Sequence, residues 1–165
     1  MVARQLGRLL IVAAVVALTA CGGADDPADP AGEALLDFTA TTVDGKAFDG
    51  RSLAGKPAVL WFWAPWCPVC LGQAPGVRET AEEYGGRVAV VGVAGLDKAE
   101  AMPEFIRLAK VESVPHLSDE AGEVWKRFGV TAQSTFVLID ADGTVTFKGR
   151  LDADEVADRA AALLG

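Results

Sequence analysis

The sequence has few of the residues that build metal sites. Its 165 residues include one histidine, His116, and three cysteines. A structural zinc site usually takes four such ligands, and one of the cysteines, Cys21, follows a leader-like segment described below. One histidine and the two other cysteines do not complete a zinc site, so we expect neither a metal nor any other cofactor.

Basic side chains are also scarce. The chain has 15 Lys and Arg against 23 Asp and Glu, a formal net charge of −8. Without Arg4 and Arg8, which belong to the leader, 13 basic residues remain against 23 acidic ones, a net charge of −10. Such an acidic surface disfavours nucleic acid and electrostatic binding to anionic lipid, so we expect no nucleic-acid partner.

The N-terminal apolar run, Leu9 to Ala20, is too short to span a membrane comfortably. Two arginines precede it, and it ends in Leu18-Thr19-Ala20-Cys21. This pattern is typical of a secretory signal, and the small residues before Cys21 resemble a bacterial lipoprotein cleavage box. We expect residues 1–20 to be a lipoprotein signal peptide and Cys21 to be lipidated. An ordinary signal peptide and an uncleaved anchor are the alternatives, and all three place the remaining chain outside the cytoplasm, at the cell membrane or secreted.

The composition changes twice after the leader. Residues 21–33 are rich in Gly, Pro and Asp and have almost nothing to bury, which favours a flexible tether. Residues 34–165 have the length of one domain and show no internal repeat. We therefore expect a single folded domain attached to the membrane by its tether.

The most informative motif is Trp66-Cys67-Pro68-Val69-Cys70, which directly follows the apolar run 58–63. Two cysteines with this spacing, at the point where a buried strand gives way to a helix, can form and reopen a disulfide. The unpaired N–H groups at the helix start stabilise a thiolate on Cys67, and Cys70 faces the same side one turn later. We expect catalytic redox chemistry at Cys67 and Cys70. A structural disulfide or half of a metal site is the alternative.

The residues beside the cysteines shape this predicted site. Pro68 fits the first helical position, where its missing N–H costs nothing, and Val69 leaves the intervening pair uncharged. Pro65 and Trp66 shield the sulfurs on one side and offer an apolar surface to a substrate.

The rest of the domain alternates between predicted strands and helices. The continuous apolar run 58–63 indicates a central strand buried on both faces. Together the patterns predict an α/β fold with a mixed central β-sheet flanked by helices. The predicted elements are a hairpin around 43–46, a helix over 67–84, a strand over 87–93, a helix over 98–110, a short strand over 114–117, a helix over 120–128, a hairpin of 135–140 with 144–148, and a helix over 152–164.

Three segments together resemble a known family: Trp61 to Cys70, Phe128-Gly129-Val130, and Leu138 to Gly143. They are similar to thioredoxin-fold proteins, and more narrowly to the extracytoplasmic thiol–disulfide oxidoreductases of the DsbE/DsbF and TlpA-like family, including its bacterial lipoprotein members. The resemblance covers nearly all of the chain from Leu35 onward. It implies a thioredoxin fold with an N-terminal β-hairpin and an inserted helix.

The resemblance also implies an activity. By resemblance to the DsbF-like lipoproteins, we expect this protein to oxidise or rearrange cysteines of exported proteins and an integral membrane redox partner to restore its disulfide. A reductase in cytochrome c maturation is the main alternative. A peroxiredoxin or a metallochaperone is a further alternative, but Ala64-Pro65-Trp66-Cys67 lacks the peroxiredoxin Pro-x-x-x-Thr-x-x-Cys pattern, and a metallochaperone would prefer three residues between its cysteines.

Two departures from the family pattern concern the base of the site. Thioredoxins have a buried Asp where this chain has Trp61, and TlpA-like proteins often have an acidic residue where it has Gln73. We therefore expect no carboxylate beneath the cysteines, and so no general base of that kind. We expect His116 to be a solvated or half-buried loop residue rather than a proton shuttle.

A third departure concerns the segment that faces the cysteines. The family's cis-proline is replaced here by Ser134, so the Gln133–Ser134 bond is either trans or a strained cis bond. We still expect Ala132, Gln133, Ser134 and Thr135 to line the substrate-binding face.

Overall fold

The computed structural model of the protein describes residues 30–165. The predicted signal peptide 1–20, Cys21 and most of the predicted tether lie outside the described residues. The first helix, α1 (Pro30–Leu36), begins four residues before the expected domain start at 34. Leu36 at the end of α1 is buried in the core, and the domain boundary at 34 stays a prediction.

A β-hairpin follows, as predicted. Strands β1 (Thr39–Thr41) and β2 (Ala47–Asp49) pair antiparallel. At the hairpin turn, the Lys46 N–H donates to the Thr42 hydroxyl at 2.9 Å, and Gly45 takes a positive φ of 84°. The hairpin also attaches to the main sheet, because Thr42 forms an antiparallel bridge with Leu117.

The main sheet has five strands in the order β5-β4-β3-β6-β7. Strand β3 is parallel to β4, and β4 is parallel to β5. Strand β6 is antiparallel to both β3 and β7. The mixed central sheet of the predicted fold is thereby confirmed. The strands are β3 (Ala58–Trp63), β4 (Ala89–Ala94), β5 (His116–Ser118), β6 (Thr135–Ile139) and β7 (Val145–Gly149).

Four more helices complete the fold. The predicted helix 98–110 is interrupted, because a 3-10 turn at Ala99–Ala101 precedes α3. The last helix begins with a capping box, in which the Asp152 and Glu155 side chains and backbone N–H groups bond reciprocally. The helices are α2 (Pro68–Tyr84), α3 (Met102–Ala109), α4 (Glu123–Arg127) and α5 (Ala153–Ala162). Within residues 30–165, no helix has the length and apolarity needed to cross a membrane.

Strand β3 separates the two halves of the core. All six of its residues are buried, and they alternate between the two faces of the sheet. Val59, Trp61 and Trp63 pack with residues of α2, α3 and α5. Ala58, Leu60 and Phe62 pack on the opposite face with Leu36, Trp125 and Phe128 among others. The central strand is thus buried on both faces, as its continuous apolar sequence predicts.

His116 differs from its prediction, because it is a buried residue of β5 with only 4% of its surface exposed. The Trp63 indole N–H donates to its Nδ1 at 3.2 Å. Its Nε2 therefore carries the proton and donates to the Val111 carbonyl at 3.0 Å. Gly92 on β4 makes room for the ring, since a Cβ there would collide with the imidazole. Desolvation lowers the pKa of His116 from 6.5 to about 4.

We predict that His116 makes the protein lose stability as the pH falls below 7. The unfolded chain takes up a proton at its ordinary pKa while the folded protein does so only at about 4. The loss at pH 4.5 amounts to about 2–3 kcal/mol of unfolding free energy. Urea unfolding of the wild type and of His116→Gln at pH 7 and pH 4.5 measures it. Parallel pH profiles for the two proteins would show that this histidine is not responsible.

Candidate active site

The two cysteines lie at the start of α2, shortly after the end of strand β3. Cys67 is the N-cap residue of α2, and Cys70 lies in the first turn. A disulfide joins them across a Cα–Cα distance of 5.3 Å. The backbone N–H of Cys70 donates to the Sγ of Cys67 at 3.0 Å. The Cys67 sulfur therefore occupies the position at which a helix N-terminus stabilises negative charge.

Trp66, next to Cys67 in the sequence, and Leu96 expose apolar side chains that form an apolar rim at one side of the cysteines. The Trp66 side chain is 54% exposed, and its indole N–H donates to the Leu96 carbonyl at 3.3 Å. The Leu96 side chain is itself half exposed, on a left-handed backbone with φ of 61°. Pro65 and Val69 are partly buried beside the cysteines, and Pro68 is exposed at the start of the helix. That these residues shape the site and offer an apolar surface to a substrate stays a prediction.

Ser134 faces the disulfide from the segment before β6. Its peptide bond to Gln133 is trans, since no bond within residues 30–165 is cis, and its φ is 64°. The hydroxyl Oγ lies 3.3 Å from the Sγ atoms of both Cys67 and Cys70. Of the two alternatives that the replaced proline left open, the structure thus has the trans bond. A backbone turned to positive φ brings the serine side chain over the sulfurs.

The rest of this segment has a more open environment. Ala132 is exposed and Gln133 is partly buried. The Thr135 hydroxyl donates to the Ala132 carbonyl at 2.8 Å and closes a short turn. All four predicted substrate-face residues therefore lie in one turn beside the disulfide, and their role in substrate binding stays a prediction.

Gln73 lies beneath the site and has a role that the sequence did not reveal. Its side chain is 2% exposed, and its Oε1 accepts from the Trp61 indole N–H at 3.1 Å. Its Nε2 donates to the carbonyls of Leu151 at 2.7 Å and Ser134 at 3.3 Å. One buried amide thus joins β3, α2 and the serine segment. The sequence signal for this role is that position 61 departs from the thioredoxin pattern and position 73 from the TlpA-like pattern, and the structure joins the two side chains by a hydrogen bond.

Aromatic rings fill the space under this amide. Trp61 stacks on Phe136 with ring centroids 6.4 Å apart, and Trp63 stacks on Phe105 at 4.3 Å. The two tryptophan rings lie 6.0 Å from each other. Packed rings at these distances add to the stability gained from burial, so the base of the site is rigid and apolar.

The buried carboxylate of Asp119 lies at the start of α4. It accepts hydrogen bonds from the backbone N–H groups of Glu123 and Trp125, both at 2.8 Å. Desolvation raises the pKa of Asp119 above its ordinary value. This carboxylate binds the start of α4 rather than the cysteines.

We predict that Gln73→Glu lowers the unfolding free energy by about 1–3 kcal/mol at pH 7. An ionised carboxylate would face two carbonyl oxygens and could donate to neither. Burial would raise the pKa of the new carboxyl above its unfolded value of about 4.3. The destabilisation is therefore full above the folded pKa and disappears as the pH falls through it.

Urea unfolding at pH 7 and pH 4, relative to the wild type, measures this effect. Gln133→Glu, the same chemical change in a more open position, is the control and should alter stability by less than about 0.5 kcal/mol. Equal destabilisation by both variants would argue against the bridging role of Gln73.

The chain is similar to several known proteins over most of its length. The model of the AhpC/TSA family matches residues 31–148. The soluble secreted antigen MPT53 of Mycobacterium tuberculosis is 39% identical over 158 residues, which cover 93% of this chain and 90% of the antigen. The thiol-disulfide oxidoreductase ResA of Bacillus thuringiensis is 29% identical over 115 residues, covering 69% of this chain and 66% of ResA.

Solved structures give the same result. The MTB DsbF protein, in mixed oxidised and reduced forms, has a TM-score of 0.75 and 49% identity, covering 79% of this chain and 97% of DsbF. A secreted M. tuberculosis disulfide oxidoreductase homologous to E. coli DsbE has a TM-score of 0.71 and 42% identity, covering 78% of this chain and 97% of that protein. The chain belongs to the AhpC/TSA family, as a thioredoxin-fold member similar to the secreted DsbE- and DsbF-like thiol–disulfide oxidoreductases.

Proposed function

We propose that this protein is an extracytoplasmic thiol–disulfide oxidoreductase that oxidises or rearranges cysteines of exported proteins. The observation that carries the proposal is the disulfide between Cys67 and Cys70 at the N-terminus of α2. The relatives named as disulfide oxidoreductases support the same chemistry.

The oxidation of a substrate dithiol proceeds by two exchanges. A substrate thiolate attacks the Sγ of Cys67, the Cys67–Cys70 bond breaks, and Cys70 leaves as a thiolate that takes up a proton. The second substrate thiolate then attacks the substrate sulfur of this mixed disulfide and releases the Cys67 thiolate. The substrate loses two electrons and gains a disulfide, while the protein gains two electrons and becomes a dithiol.

The structure favours Cys67 as the sulfur that exchanges with substrate. Cys67 caps α2 and accepts the N–H of Cys70, so its thiolate is the better stabilised product. Cys70 is fully buried one turn into the helix. In the reverse direction, Cys70 resolves the mixed disulfide by attacking the sulfur of Cys67. Rearrangement of wrong disulfides uses both directions in turn.

The apolar rim and the serine segment provide the substrate face in this proposal. Trp66 and Leu96 expose about half of their surfaces beside the disulfide, which suits an apolar side chain next to a substrate cysteine. The turn of residues 132–135 offers backbone groups to an extended peptide. Together they would hold a substrate sulfur over Cys67.

The relatives and the N-terminal sequence support an extracytoplasmic location. MPT53 and the DsbE-like protein are described as secreted, which supports an extracytoplasmic protein. We propose that residues 1–20 direct export, that Cys21 is lipidated, and that the tether up to the start of α1 holds the domain near the membrane. An integral membrane oxidase would then restore the disulfide. A reductase in cytochrome c maturation, the alternative, would need the opposite electron flow.

We predict that Cys70→Ser traps substrate on Cys67. Incubation of the reduced variant with a disulfide-bonded peptide should give a stable mixed disulfide, because the resolving thiol is missing. Mass spectrometry with peptide mapping identifies the modified residue. Cys67→Ser is the matched control and should form the adduct at least about tenfold more slowly, since Cys70 lacks the N-cap position that stabilises a thiolate on Cys67. Faster adduct formation at Cys70 than at Cys67 would overturn the assigned roles.

A further inference from the structure

We propose that the Ser134 hydroxyl is a catalytic hydrogen-bond donor to both redox sulfurs. This inference rests on the proposed function. The hydroxyl stabilises the negative charge on the Cys70 sulfur as the disulfide opens, and then the negative charge on the Cys67 sulfur in the reduced protein. Its effect is to favour reduction of the protein and therefore oxidation of the substrate.

The geometry gives the hydroxyl access to either sulfur. Ser134 Oγ lies 3.3 Å from the Sγ of Cys67 and 3.3 Å from the Sγ of Cys70. Disulfide sulfurs carry no proton, so the hydroxyl is the donor. Within residues 30–165, it is the one side-chain hydrogen-bonding group recorded at either sulfur, and Ser134 is 93% buried. Little water competes for this hydroxyl.

The backbone holds the hydroxyl in place by an unfavourable conformation. At φ of 64°, Ser134 occupies the left-handed region that a residue with a Cβ rarely adopts. Such strain persists where the surroundings fix it and is concentrated at functional sites. Gln73 holds the Ser134 backbone in this conformation, because its Nε2 donates to the Ser134 carbonyl. Gln73 lies on α2, the helix that carries the cysteines. Gln73 acts as a positioning residue for the hydroxyl.

The hydrogen bond strengthens when the disulfide is reduced. A neutral disulfide sulfur is a weak acceptor, whereas a thiolate accepts a charge-assisted bond. The hydroxyl therefore stabilises the reduced protein more than the oxidised one and shifts the equilibrium with a thiol buffer toward reduction. Because Oγ is equally close to both sulfurs, the hydroxyl can donate first to the Cys70 thiolate and then to the Cys67 thiolate without a movement of the backbone.

Serine at position 134 supplies a chemical group that the family's proline lacks. A proline at position 134 has no side-chain donor. The serine therefore adds a hydrogen-bond donor at a site that has no carboxylate partner for its sulfurs among the described residues.

The test compares Ser134→Ala with Ser134→Gly. Both remove the hydroxyl, but alanine keeps the backbone strain and glycine relieves it. We expect both variants to shift the glutathione equilibrium about tenfold toward the oxidised protein. Cys67 alkylation by iodoacetamide at pH 6 should slow by a similar factor. Ser113→Ala, which removes an exposed hydroxyl elsewhere, should match the wild type in both measurements.

Two results would overturn the inference while leaving the proposed function intact. One is that both Ser134 variants have the wild-type equilibrium constant with glutathione to within about twofold. The other is a difference between alanine and glycine, with glycine like the wild type, which would assign the effect to the backbone. Failure of wild-type Cys67 and Cys70 to exchange with glutathione at all would instead refute the proposed function.

Discussion

The position of Cys67 at the N-cap of α2 is the constraint on which the rest of the site depends. The helix directs its unpaired N–H groups at this sulfur, and the Cys70 N–H is bonded to it. A thiolate gains from this environment, while a neutral disulfide gains much less. In the proposed function, these few atoms would determine which sulfur reacts and how readily the pair is reduced.

The fold keeps this helix end fixed through its buried surroundings. Strand β3 leads directly into the site and is buried on both faces. Below the cysteines, Gln73 connects the strand through Trp61 to the segment that carries Ser134. Because the partners of this amide come from distant parts of the chain, the site forms only when sheet, helix and serine segment have all assembled.

Local patterns predicted most of the architecture. Strand β3 and helix α2 were predicted nearly residue by residue, because an unbroken apolar run and the cysteine motif with Pro68 mark their ends. Both hairpins were also predicted, since Gly45 and Gly143 mark their turns. The helix ends were less accurate, as at the 3-10 turn before α3, because end turns depend on packing as well as on sequence.

Tertiary contacts explain what the sequence did not show. His116 carries no local sign of burial, and it is buried because Gly92 on a neighbouring strand leaves space for its ring. At position 73 the sequence shows only that the acidic residue of TlpA-like proteins is absent. The bridging role of Gln73 is not visible there, because its partners Trp61, Ser134 and Leu151 lie 12, 61 and 78 residues away. At position 134 the sequence shows only the loss of a proline, because the distances from its hydroxyl to both sulfurs depend on the fold.

The reduction potential of the Cys67–Cys70 pair tests the central claim most directly. In the proposed function, a helix end and a hydroxyl that both favour the thiolate would make the reduced form comparatively stable and the protein an oxidant. Equilibration of the wild-type protein with glutathione buffers, followed by mass analysis of the pair, should give a potential of about −120 to −180 mV. A potential near −270 mV, on the scale of known exchange proteins, would contradict this account and indicate a reductase.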